Sequence, residues 1–154
     1  MISFEPDEVL FRTYLFYMGV LVLKVLAMAP LTARQRFAKL VFANPEDAKM
    51  NSKSKVKYDD VDVERVRRAH LNDLENIPLF FFVCYGYLLT MPNVYIATNL
   101  IRLFVASRII HTIVYAVVVL PQPMRGLSWF AGFATTVYMA VQCFHLYNIP
   151  MPNN

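Results

Sequence analysis

A chain of 154 residues leaves room for a single domain. Hydrophobic residues make up 57% of it and charged residues only 17%, and the mean hydropathy is +0.40. A water-soluble fold of this size could not hide so much apolar surface. The net charge of +4 comes with no nucleic-acid-binding motif, so nucleic acid is excluded as an expected partner and the charge is read as a membrane-orientation signal.

Four apolar stretches follow one another: Val9–Leu31, Leu74–Met91, Val94–Val119 and Leu127–Ile149. Each is close to the ~20 residues a helix needs to cross a hydrocarbon layer. They are apolar throughout rather than alternating, which argues against membrane-spanning strands. Ala27-Met28-Ala29 resembles a leader cleavage site. The residues ahead of the stretch (Glu5, Asp7, Glu8) are acidic, however, and Lys24 interrupts it, so a retained helix is expected.

Ten basic residues lie between the first two stretches, from Arg34 to Arg68. The turn Thr90–Asn93 carries no charge, and neither does the tail after Ile149. The first loop is therefore expected in the cytosol, both termini and the second turn in the lumen, and the third turn, with Arg125, back in the cytosol. Residues 43–60 are polar and expected to be mobile. The expectation is an all-α integral membrane protein, a four-transmembrane-helix bundle forming one membrane domain over 1–154. Its helices fall at about 9–31, 60–91, 94–119 and 126–149, with a cytosolic loop at about 32–60.

Cys84 and Cys143 sit inside apolar stretches, without metal-ligand spacing, and read as buried thiols. His70 and His111 have no second ligand at suitable spacing, so no metal site is expected. No acidic residue follows Glu75, yet Arg102, Arg108 and Arg125 all lie beyond it. An ionisable group at membrane depth is costly and marks a functional site by default. Arg108 must pair with Asp73, with Glu75 or with a bound anion.

Helical spacing then groups the polar residues. Arg68, Asn72 and Glu75 stand at i, i+4 and i+7, and Arg108, His111 and Tyr115 at i, i+3 and i+7. Two such faces opposite each other would line a pocket of cationic donors, an amide and one carboxylate. Arginines can clamp carboxylates in bidentate fashion and the carboxylate can take an ammonium. The implied ligand is zwitterionic with surplus negative charge. Arg65, Arg67 and Arg68 also admit a plain reading as orientation signals.

The run Val63-Glu64-Arg65-Val66-Arg67-Arg68-Ala69-His70-Leu71-Asn72-Asp73-Leu74-Glu75-Asn76 resembles the second-helix signature of the MAPEG family, membrane-associated proteins of eicosanoid and glutathione metabolism. Val41-Phe42-Ala43-Asn44-Pro45-Glu46-Asp47 is similar to the family's first loop. Arg108 to Tyr115 and Leu120-Pro121-Gln122-Pro123-Met124-Arg125-Gly126-Leu127 continue the match. The resemblance is nearest to the branch that joins microsomal glutathione transferases and prostaglandin E synthases.

It implies a homotrimer in the endoplasmic reticulum membrane, with the outer mitochondrial membrane as a second location, and glutathione bound between subunits near the cytosolic face. The family's glutathione contacts map onto Arg36, Arg67, Arg68, His70, Asn72, Glu75, Arg108, His111, Tyr115 and Arg125. The implied activity is conjugation of glutathione to lipophilic electrophiles, with lipid-hydroperoxide peroxidase activity beside it. Arg125 or Tyr115 would stabilise the thiolate. The alternatives are a glutathione-dependent prostaglandin E synthase and a non-catalytic lipid-binding scaffold. Two departures from the family pattern stand out: Pro78 directly follows Ile77, and five residues rather than four separate Tyr115 from Pro121. The extra residue either rotates Arg125 relative to Tyr115 or is absorbed by the Pro121-Gln122-Pro123 turn.

Overall fold

The computed structural model describes residues 5–148. The termini and Ile149, on which part of the expected topology rests, lie outside the described residues.

The first helix, α1, runs Glu8–Lys39. Asp7 caps it by accepting from the Leu10 amide at 3.0 Å, and Glu8 in the first turn with Arg36 and Lys39 in the last complement its dipole. It continues past the expected end at 31, because Leu31 is where hydropathy falls and not where helix propensity does. The helix stops at Leu40, which takes a left-handed conformation (φ 53°) and returns its amide to the Arg36 and Phe37 carbonyls.

The loop expected to be mobile has structure of its own. Strand β1 (Val41–Phe42) pairs in parallel with β2 (Lys55–Val56) around the short helix α2 (Pro45–Ala48). At its base Lys39 reaches Asp60 at 3.2 Å and also binds Asp62, which binds Arg65 in turn. The Lys39 hydrogen bond, followed by that of Arg65, holds the Asp62 carboxyl below its ordinary pKa, and the same Asp62 bond raises Lys39.

Helix α3 spans Val61–Leu88 under the Asp60 cap. Its buried residues Val63, Val66, Ala69, Asp73, Ile77, Phe80, Cys84 and Tyr87 recur every three or four positions and form one stripe. Helix α4 spans Val94–Thr112 and passes directly into a π turn, Ile113–Val117. Helix α5 spans Met124–Tyr147. By length and composition, α1, α4 with its π turn, and α5 are suited to crossing a membrane. Helix α3 differs because its first half carries the charged signature and only its second half is apolar.

α3 packs on α1 and α5, and α4 on α5 and α1. In the core, Phe80 and Phe104 stack with ring centroids 3.6 Å apart. Gly132 lets α5 approach α4 closely, since a Cβ there would stand 2.8 Å from Ser107 Oγ. Large apolar side chains also point outward, including Phe82 at 78% exposure and Leu23 at 69%. Apolar surface of this extent needs lipid or a partner against it.

Candidate functional site

The C-terminus of α1, the start of α3, the end of α4 and the start of α5 gather at one end of the bundle. Between the last three lies a cavity of about 580 Å³. Helix α3 contributes Arg68, Leu71, Asn72 and Glu75, the face given by i, i+4 and i+7 spacing. His111 comes from α4 and Tyr115 from the π turn, while Gln122, Arg125, Gly126 and Trp129 close the far side.

The π turn decides where Tyr115 points. The Val118 amide bonds to the Ile113 carbonyl at 2.7 Å, a five-residue step. A π turn holds one residue more than an α turn. The helix is thus wound one residue wider around Tyr115, and Arg125 still reaches it. Its guanidinium carbon lies 4.8 Å from the centre of the Tyr115 ring, within cation–π range. The Arg68 Nε donates to the Tyr115 hydroxyl at 3.4 Å, and the His111 ring meets Tyr115 edge-on at 5.5 Å. The hydroxyl thus accepts from Arg68 and keeps its own proton free to donate.

Arg125 opens α5, whose first amides have no intrahelical partner and carry partial positive charge. Its Nε is buried without a hydrogen-bond partner among the described residues. Ser128 Oγ donates to its carbonyl at 3.0 Å, and Gln122 Oε1 accepts from the Gly126 amide at 3.3 Å, so the turn into α5 is tied down by side chains.

Arg108 takes a different place from the one spacing suggested. It is 1% exposed and sits behind the cavity wall. Its Nη2 donates to Asp73 Oδ1 and to Asn72 Oδ1, both at 2.7 Å. Asp73 is fully buried, and its second oxygen binds Lys24. Of the partners open in the sequence, Asp73 is the one realised. Lys24, seen in the sequence only as a break in an apolar run, completes a buried cation–anion–cation triad.

Six of the residues expected in the site therefore meet at one cavity: Arg68, Asn72, Glu75, His111, Tyr115 and Arg125. Arg67 instead pairs with Glu64 at 2.7 Å on the outside of α3, and His70 is half-buried away from the cavity. Arg36, on α1, has a buried Nη1 without a partner. Trp129, Gln122 and Leu71 line the cavity and were not anticipated. Trp129 stands one helical turn after Arg125, which was the available signal. Among the described residues no group of three or more His, Cys, Asp or Glu could hold a metal.

The model of the MAPEG family matches residues 14–145 of this chain. Microsomal glutathione S-transferase 1 of Mus musculus is 43% identical over 139 residues, covering 87% of this chain and 88% of that protein. The protein of the same name from Homo sapiens is 44% identical over the same length. Prostaglandin E synthase of Bos taurus is 35% identical over 129 residues, 84% of each chain.

Proposed function

The chain belongs to the MAPEG family, and on that premise we propose that it is a membrane-bound glutathione transferase for lipophilic electrophiles, with peroxidase activity toward lipid hydroperoxides. The observation that carries this reading is the cavity itself. Two guanidinium groups, a carboxylate, an amide and a phenol converge there, at the end of the bundle where the basic loop lies. Glutathione has two carboxylates, an ammonium and a thiol; one carboxylate, the ammonium and the thiol find complements here. Arg68 takes a carboxylate, Glu75 takes the ammonium, and Arg125 with Tyr115 receives the sulfur. The bilayer concentrates the apolar substrate while the cytosol supplies glutathione.

In this reading all four long helices span the endoplasmic reticulum membrane, the termini are lumenal and the cavity faces the cytosol. Three copies assemble, so Arg36, Arg67 and His70, which lie off the cavity in a single chain, complete a site on the neighbouring subunit. The outward apolar surface supports such an assembly. Protease added to intact microsomes cuts between Ala43 and Asp60; a protected loop reverses the topology.

The activity is tested by incubating detergent-solubilised protein and glutathione with 1-chloro-2,4-dinitrobenzene, and separately with prostaglandin H. Conjugate formation with the aryl halide is the expected result. Isomerisation of prostaglandin H without conjugation would make it a prostaglandin E synthase instead, and inactivity in both would leave a lipid-binding scaffold. The higher identity to the transferases favours conjugation. Arg68→Ala weakens glutathione binding by about 1.5–3 kcal/mol, the worth of a hydrogen bond to a charged group. Lys53→Ala, on the exposed loop, leaves titration calorimetry unchanged.

A further inference from the structure

Arg108 is the largest fully buried side chain among the described residues, yet it is not part of the cavity lining. Two residues that do line the cavity, Asn72 and His111, touch it from the cavity side. A guanidinium has five N–H donors and no acceptor, so any atom it faces must offer a lone pair. The Asn72 atom at 2.7 Å from Nη2 is therefore the amide oxygen, which leaves the two hydrogens of Nδ2 for another partner. The His111 atom at 3.4 Å from Nη2 is Nδ1. Both hydrogens of Nη2 already go to Asp73 and Asn72, so no third bond is made to His111; the cation beside Nδ1 still disfavours a proton there, and the neutral ring holds it on Nε2.

We propose that Arg108 is a positioning residue that sets the hydrogen-bonding polarity of the cavity wall, turning Asn72 and His111 outward as N–H donors without meeting the ligand itself. Without it, either group could present an acceptor to an incoming anion as easily as a donor. With it, the wall between Arg68 and Tyr115 is donor-only and matches the carbonyl and carboxylate oxygens of glutathione. The assignment rests on the glutathione reading for its ligand but on Arg108 alone for its polarity. Asp73 and Lys24 hold Arg108 from behind. Asp73 fixes the guanidinium from within its own helix pair, and Lys24 occupies the second Asp73 oxygen so that the carboxylate cannot swing away.

Two measurements test this. The first is Asn72→Asp, which keeps the oxygen facing Arg108 and replaces the outward donor by an acceptor. The thermal midpoint is expected to hold, while glutathione Kd in titration calorimetry rises about 10- to 150-fold, the fold-change for losing a hydrogen bond to a charged group. Binding within a factor of about two of wild type would overturn the proposal. If wild-type protein binds no glutathione at all, it is the ligand reading that fails, and the second measurement still decides the polarity. That measurement is nitrogen NMR of protein labelled with 15N-histidine, with His111 assigned by loss of its signals in His111→Gln. Wild type is expected to show one neutral tautomer with the proton on Nε2. Arg108→Met leaves Asp73 paired with Lys24 and is expected to give a mixture of tautomers. An Nδ1-protonated His111 in wild type, or an unchanged spectrum in Arg108→Met, would overturn the assignment.

Discussion

Arg125→Ala raises the pKa of enzyme-bound glutathione by about 1–3 pH units, the range over which a nearby opposite charge moves a titrating group. The free thiol, with a reference pKa of about 8.5, is only a few per cent ionised at neutral pH, and the thiolate is the nucleophile. Arg125 combines a full charge with the positive end of the α5 dipole and a position against Tyr115. Turnover at neutral pH is expected to fall about tenfold for each pH unit by which the thiol pKa rises. Glutathione affinity is largely kept, because Arg68 and Glu75 hold the rest of the tripeptide. The check is ultraviolet thiolate absorbance of bound glutathione followed across pH. If the thiolate signal persists in Arg125→Ala and vanishes in Tyr115→Phe, the hydroxyl is the activating group.

The second large effect is on the fold. Asp73→Asn leaves Lys24 and Arg108 buried with no counter-charge, and breaking a buried ion pair this way costs about 3–5 kcal/mol. Asp73 is fully buried between them, so no water can take over its role. By contrast, Glu64→Gln removes the carboxylate from the exposed pair with Arg67 and is expected to cost at most about 1 kcal/mol. Thermal unfolding of both variants in the same detergent separates the two cases. Similar midpoints would mean that the triad is hydrated and not part of the core.

Much of this was legible in the chain itself. Three of the four long helices declare themselves by hydropathy, and the face of α3 bearing Arg68, Asn72 and Glu75 follows from i, i+4 and i+7 spacing. What the sequence left open has two physical causes. Hydropathy marks where lipid ends, not where helical hydrogen bonding ends, so α1 runs on to Lys39 through a polar but helix-favouring segment. Spacing assumes α geometry, and it gives a face without saying which members of that face are covered by a neighbouring helix. Arg108 and Tyr115 share a face by count, yet α3 and α1 cover Arg108 through Asp73 and Lys24 while Tyr115 remains at the cavity. The partner of Lys24 lies forty-nine positions away, beyond any local pattern.

The widened turn at Ile113–Val117 also bears on how this site tolerates changes in chain length. An α-helix that gains a residue ordinarily turns everything downstream by ~100°. Here one turn is wound wider, with Tyr115 inside it, and Tyr115 still meets Arg125. Removing one of the valines 117–119 would let that turn relax to ordinary winding at little cost to that contact. The same single deletion between Arg68 and Glu75 has no such reservoir and would scatter the α3 face around its helix. The two walls of one cavity thus stand under unequal constraint: one has a wide turn that can take up a change in length, and the other is locked in register.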